Sequence, residues 1–240
     1  MDIRLKTIRI QNFRSIADAT LKLDTGINVL AGPNGSGKSN ILKAVSRFSN
    51  NVAFSANDQS RFSREPFRIE AHTLSGDVLR IDPQGRFLNN NLVSGFESFI
   101  FLMEALRGYP DESHVPKNIY FLRPDGSNLA GILNYYKGSI ASSKDLDRLL
   151  ERVRRITSEI DDISPKFQGE DRAQLYVKLK KNEETHTFTP EGMSTGSLDA
   201  IFLSLALQIY SNGSIFLLDG PDGHLHAGSQ EAMLDLLRNV

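Results

Sequence analysis

Residues Gly32 to Ser39 read Gly-Pro-Asn-Gly-Ser-Gly-Lys-Ser, a set that could hold a chain of phosphates. Its glycines let successive backbone N–H groups turn inward, and a helix starting behind them adds its positive end. Over Gly32, Pro33, Asn34, Gly35, Ser36 and Gly37 the chemistry belongs to the backbone. Lys38 can reach β- and γ-phosphates, and the Ser39 hydroxyl can ligate Mg²⁺. Asp219 ends the run Ser214-Ile215-Phe216-Leu217-Leu218. A buried parallel strand that delivers a carboxylate to the C-terminal edge of a sheet reads this way, and Asp219 could hold Mg²⁺ through water, opposite Ser39. Met193-Ser194-Thr195-Gly196-Ser197 precedes the apolar stretch Leu198 to Ile209. Ser194 and Gly196 at a helix start offer N–H groups and a hydroxyl, again suited to phosphate.

These groups need elements to place them. Ile27-Asn28-Val29-Leu30-Ala31 reads as a buried strand and Asn40 to Val45 as a helix, giving the strand–loop–helix context that turns a motif into a site. Upstream, Ile8 and Ile10 alternate with Arg9, and Leu21 and Leu23 with Lys22, as strands do. Residues 67–74 and 78–82 read as a hairpin around Ser75-Gly76, with Phe67, Ile69 and Ala71 on one face. The stripe Phe96, Phe99, Ile100, Met103 and Leu106 predicts a helix over 96–107, and Asn118 to Leu122 reads as a strand. Arg123-Pro124-Asp125-Gly126 turns the chain into a helix over roughly 128–136.

Leu146, Leu149, Leu150, Val153, Ile156 and Ile160 predict an amphipathic helix over 144–160, with Ser143 as N-cap and Pro165 beyond its end. Its other face carries Lys144, Arg148, Arg152, Arg154 and Arg155 diluted by Asp145, Asp147 and Glu151; it is a solvated face or a nucleic-acid contact. Residues 174–180 and 185–189 read as a strand pair, and 229–239 as a last helix.

Twenty-eight basic against 29 acidic residues give a net charge of −1, so no global basic field argues for nucleic acid. The absence of cysteine excludes disulfides, thiolate zinc sites and cysteine nucleophiles. No apolar run reaches the ~18 residues of a membrane span, and no signal-peptide pattern opens the chain. The expectation is a soluble, cytoplasmic protein without a membrane partner.

Taken together, the motifs resemble the ABC-type ATPase heads of the SMC and RecF kind, and more closely the predicted AAA-family ATPases grouped with the OLD (overcoming-lysogenization-defect) family. The resemblance rests on Ile10-Gln11-Asn12-Phe13-Arg14-Ser15, on the phosphate loop with its Asn40-Ile41-Leu42-Lys43-Ala44 continuation, and on Pro124 to Ala130. It rests also on Met193 to Gly196 and on Leu217 to His226. It implies a P-loop NTPase of α/β class: a three-layer α/β/α core with an antiparallel β-subdomain and a helical insertion. The expected single domain divides into a phosphate-loop lobe over 1–94, the insertion over 95–165, and a signature and Mg-aspartate segment over 166–240. It further implies ATP with Mg²⁺ and an ATP-dependent homodimer in which Ser194 and Gly196 meet the γ-phosphate held by the partner's loop. Arg14 matches a position that approaches the phosphates, or is a surface arginine. A glutamine beside the metal is expected, with Gln59 and Gln84 as candidates.

The chain also departs from this pattern. The family reads Asp-Glu-Pro where this chain has Asp219-Gly220-Pro221. Gly220 cannot take a proton, and a general base typically contributes ~10²–10⁴-fold, so tight ATP binding with slow turnover is expected. Asp222 could substitute as the base. His224 and His226 fit the family's His-Leu-His stretch; two histidines without a third ligand are weak as a metal site and read as local structure or a dimer contact. Ala227 stands where the family has proline. Only 21 residues follow Asp219, so a further strand with a γ-phosphate-sensing histidine is expected and missing: a fragment, a sheet completed by another chain, or a degenerate sequence. Two functional readings follow. One is a slow ATPase that dimerises on ATP in DNA repair or antiviral defence. The other is a non-catalytic ATP-binding module that docks an effector nuclease or toxin. DNA remains a possible partner in either.

Overall fold

The computed structural model describes residues 4–48, 54–88, 91–92, 100–104, 107–116, 121–139, 141–169, 171–182, 184–210, 214–221 and 223–238. Twelve strands and five α-helices occur among them. The first part of the chain holds β1 (Leu5–Phe13), β2 (Ile16–Lys22), α1 (Lys38–Ser46), β3 (Arg68–Thr73), β4 (Val78–Asp82), β5 (Gly85–Leu88), β6 (Asn91–Leu92) and β7 (Ile100–Met103). Then come β8 (Glu112–His114), α2 (Leu129–Ser139), α3 (Ser143–Ile156), β9 (Ile160–Gln168), β10 (Arg172–Lys181), β11 (Glu184–Phe188), α4 (Thr195–Ile209), β12 (Ile215–Leu218) and α5 (Ala227–Arg238).

Two compact units divide the chain. The first comprises Met1–Leu102 and Asn212–Asp219. Its six-stranded antiparallel sheet runs β2-β1-β3-β4-β5-β6, and β12 pairs with β7 separately. Alternation sets the core: Ile8 and Ile10 of β1, with Phe67, Ile69, Ala71, Leu79 and Ile81, share one cluster with α1 residues Ala44 and Val45, while Arg9 faces water. Phe13 joins them because Asn12, at φ 52°, breaks the alternation. Leu217 of β12 joins the same cluster. The hairpin read around Ser75-Gly76 is present, with Ile69 opposite Ile81 and Ala71 opposite Leu79.

Met103–Ser211 and Gly220–Val240 form the second unit. β10 is its central strand, pairing antiparallel with β8, β9 and β11. Leu175 and Val177 of β10 are buried, as are Leu129, Ile132 and Leu133 of α2. From Gly196 to Leu207 every residue of α4 is buried, as expected of a helix apolar all round.

Five elements differ from their sequence reading. Ile27 to Ala31 forms no strand among the described residues, and Ile27 and Val29 are 46% and 81% exposed. A strand needs a ladder partner; β12 pairs with β7, and no strand among the described residues pairs with 27–31. The Asn28 amide instead donates to the carbonyls of Asp24 and Gly26, folding residues 24–28 into a local turn. Ile100–Met103, read as helix, is a strand because that same ladder overrides the helical stripe; Phe96, Phe99 and Leu106 lie outside the described residues. Asn118 to Tyr120 of the strand read over 118–122 also lie outside them, and Phe121 and Leu122 form no strand.

The basic helix is α3, and it stops at Ile156. Ile160 fits its stripe but opens β9 instead, opposite Leu179 of β10. Pro165 is therefore inside β9, whose only partner among the described residues is β10, and at such an edge a missing N–H costs no ladder bond. Ser142, not Ser143, is the N-cap, because only Ser142 has an acid three residues on: Asp145 N–H donates to its hydroxyl while the Asp145 carboxylate accepts from Ser142 N–H. Finally, β12 is only partly covered: Leu217 is buried and its three neighbours are intermediate.

Candidate nucleotide site

The loop ahead of α1 turns where its glycines allow. Gly35 and Gly37 have φ of 79° and 95°, and Gly37 is the N-cap whose carbonyl accepts from Ile41 N–H at 2.9 Å. The Lys38 ammonium folds back over the loop and donates to the carbonyls of Gly32 (2.7 Å) and Pro33 (2.9 Å). A cation thus sits inside a ring of backbone at the positive end of a helix, with Ser39 exposed in the first turn. Asn40 leaves that ring: its amide donates to Ser15 Oγ at 2.8 Å.

Ser15 belongs to the tip of the β1–β2 hairpin, where Phe13 pairs with Ile16 and Arg14 takes a positive φ of 53°. The tip is held from behind by a carboxylate that the sequence reading missed. Asp58 is completely buried and accepts from Arg47 Nε (2.7 Å) and Nη2 (2.8 Å), and from Arg14 Nε (3.2 Å) and Nη2 (3.0 Å). It also accepts from Ser55 N–H, and its carbonyl takes Arg14 N–H. Burial alone would raise the Asp58 carboxyl; the hydrogen bonds from Arg47, Ser55 and Arg14 outweigh it and hold the group below the usual carboxylate range. Its signal was Ser55-x-x-Asp58, a capping box. Arg14 is therefore committed to Asp58. Gln59 is committed too, its amide donating to Glu65 O and accepting from Phe67 N–H. Gln84 lies exposed in the β4–β5 turn.

Asp219 follows β12, whose Leu217 shares the core cluster of Ala44 and Val45 in α1. The elements carrying Ser39 and Asp219 are thus built on one core. Both supply hard oxygen donors, which suits Mg²⁺, and no group of three or more histidine or acidic residues that could hold a metal occurs among the described residues. At least four more oxygens from phosphate and water would complete an octahedral magnesium sphere, and a hydroxyl with a carboxylate fits that ion. Gly220 has φ of 58°, a left-handed backbone that L side chains adopt at a cost. Asp222 lies outside the described residues.

In the second unit Ser194 caps α4, its exposed hydroxyl accepting from Ser197 N–H at 3.1 Å. Gly196 has a packing reason as well: a Cβ there would run into the carbonyl oxygen of His224. His224 Nδ1 donates to Asp199 at 3.0 Å, and His226 bonds Ser229, so both histidines serve local structure. Asp199 was also missed; a lone acid inside the apolar stretch 198–209 signals a buried partner.

Comparison with known proteins identifies the family and the fold. The AAA_15 model, the AAA ATPase domain, matches residues 3–187. The chain belongs to that family. As a member of the AAA ATPase domain family it is 56% identical over 43 residues to the DNA double-strand break repair Rad50 ATPase of Archaeoglobus fulgidus, covering 18% of this chain and 5% of that protein. It is 30% identical over 122 residues to the DNA replication and repair protein RecF of Prosthecochloris aestuarii, covering 46% of this chain and 33% of that one. It therefore spans a third or less of these relatives' lengths.

Among solved structures, an Smc head bound to the C-winged helix domain of ScpA superposes with a TM-score of 0.64 at 14% identity, over 98% of this chain and 86% of that one. The recombination mediator RecF-ATPrS gives 0.60 at 14% identity, over 98% and 90%. The fold is that of the ABC-type ATPase head of SMC and RecF. No helix among the described residues is long and apolar enough to cross a membrane.

Proposed function

We propose that this family member binds Mg-ATP in the loop Gly32–Ser39, dimerises on it, and hydrolyses it slowly. One observation carries the reading: the Lys38 ammonium is seated on the Gly32 and Pro33 carbonyls at the N-terminus of α1. A triphosphate entering that cradle exchanges two carbonyl acceptors for charged oxygens, a stronger partner for the same cation. Backbone N–H groups of Gly32–Ser39 hold the phosphates, and Lys38 neutralises them. Ser39 and Asp219 hold the magnesium ion, which when bound balances phosphate charge. Ser194 and Gly196 act on the nucleotide of a partner subunit.

Gly220 offers no base, so turnover rests on Asp222 or on a partner. The biological setting we propose is DNA repair or antiviral defence. A nucleic-acid role draws support from the loop after Gln59: Phe62 is 90% exposed and flanked by exposed Arg61 and Arg64, which make no ion pair among the described residues. An aromatic face between two free guanidiniums suits an unstacked base and its phosphates. The second reading, a non-catalytic module that docks an effector nuclease or toxin, is favoured by Gly220.

Single-turnover hydrolysis of Mg-ATP, with Lys38→Ala as the blank, decides between them. Turnover above the blank, lost in Asp222→Asn, supports the slow ATPase. ATP binding without any turnover supports the docking module.

A further inference from the structure

Behind the first turns of α4, the second unit buries a charge cluster that the nucleotide reading does not use. Asp199 is its centre. Arg107 grips the carboxylate with one edge of its guanidinium, Nε to one oxygen at 2.8 Å and Nη2 to the other at 2.7 Å. Tyr109 Oη donates to Asp199 at 2.6 Å, and His224 Nδ1 donates at 3.0 Å. The side chains of Arg107 and Asp199 are 0% and 2% exposed.

Arg107 also donates to the carbonyl of Glu104 and, at 3.5 Å, to that of Gly220. Tyr109 is pinned in turn, its ring edge-on to Phe202 at 5.8 Å and pressed against Gly126. Burial, then the Asp199 charge and hydrogen bond, push the Tyr109 phenol well up, so it stays a donor at any working pH.

A buried carboxylate with four donors around it is a costly arrangement, and a helix needs nothing of the kind to pack. Its geometry explains its presence. Asp199 lies three residues after Gly196. The groups that converge on it come from the segment 104–109 and from the segment that begins at Gly220, one peptide bond after Asp219. His224 enters twice, through its ring to Asp199 and through its carbonyl, which fills the space a Cβ on Gly196 would need.

We propose that Arg107, Tyr109 and His224 are positioning residues that act through Asp199: they fasten the segment following Asp219 to the start of α4, and so fix Ser194 and Gly196 in the pose that a partner's nucleotide requires. This rests on the ATP-dependent dimer proposed above. The cluster holds the signature turn and leaves the phosphate loop's own affinity alone.

The test uses the whole chain with Mg-ATP and reads three quantities for each variant: ATP affinity of the monomer, melting temperature without nucleotide, and dimer dissociation constant with ATP by analytical ultracentrifugation. Tyr109→Phe removes one hydroxyl, and His224→Leu removes one half-exposed donor. Each is expected to leave ATP affinity unchanged while weakening the dimer by about tenfold, the scale of a typical coupling between sites. Tyr109→Phe also lowers the melting temperature, because it takes a donor from a buried carboxylate, whereas the half-exposed His224→Leu changes it little. His224→Asn, whose amide nitrogen can stand where Nδ1 stands, is expected to restore most of the loss. A structural role alone would lower the melting temperature and leave the ATP-bound dimer as tight as wild type. Variants that dimerise like wild type overturn this inference alone. A wild type that binds ATP and stays monomeric overturns the dimer reading, and this inference with it.

Discussion

Replacing Asp58 with asparagine keeps the side chain's shape and removes the charge that two guanidiniums share. Arg47, 10% exposed, would then face a neutral amide from inside the core, while Arg14, 23% exposed, could turn toward water. Removing one partner of a buried pair costs about 3–5 kcal/mol, and the escape open to Arg14 favours the lower end of that range. For a chain of this size 1 kcal/mol corresponds to roughly 2–4 °C. The loss should therefore be about 6–12 °C, read by differential scanning fluorimetry. Asp18→Asn is the control, since Arg9–Asp18 is a solvent-exposed pair that salt and entropy make nearly worthless.

The pH dependence fixes the sign. Asp58 is held below its ordinary value, so its contribution is complete above the unfolded pKa near 4 and is lost as pH falls through the lower folded value. The gap between wild type and Asp58→Asn should stay constant from about pH 5 upward and close in stronger acid. A variant that melts with wild type, or a gap that widens in acid, would refute the reasoning.

Three further outcomes are expected. Gly196→Ala should weaken the ATP-dependent dimer, because the new methyl displaces the His224 carbonyl; equal sedimentation of the two proteins would count against that packing. Gly220→Glu should raise single-turnover hydrolysis by ~10²-fold or more, at about 1 kcal/mol in stability for a left-handed side chain; no gain would mean that position does not face the attacking water. Phe62→Ala should lower single-stranded oligonucleotide affinity by a stacking contribution of about 1–3 kcal/mol, and Arg61→Ala with Arg64→Ala should flatten its salt dependence; unchanged binding in fluorescence anisotropy would dismiss the loop as a contact.

Local rules made part of this molecule readable. The turn before α1 announces itself because only glycine tolerates the φ of Gly35 and Gly37, and Ser194 because a cap needs a hydroxyl at a helix start. The β3–β4 hairpin follows from two-residue alternation around Ser75-Gly76. What stayed hidden depends on partners distant in sequence. Ile27–Ala31 has strand composition, yet pairing decides a strand, and no strand among the described residues pairs with it. Ile100–Met103 carries a helical stripe that pairing with β12 overrides, and Ile160 satisfies both a helix period and a strand register until β10 selects the second. Asp58 and Asp199 were legible only as anomalies, a capping acid and a charge inside an apolar run. Their arginines lie 11 to 92 residues away along the chain, a distance no local pattern spans.

The central claim is that Gly32–Ser39 is a nucleotide site, and equilibrium binding of Mg-ATP measured by isothermal titration calorimetry tests it most directly. Saturable binding of one nucleotide per chain, abolished in Lys38→Ala while that variant keeps its fold by circular dichroism, is the predicted result. ATP affinity that survives Lys38→Ala unchanged, or a folded wild type that binds no ATP, would contradict it.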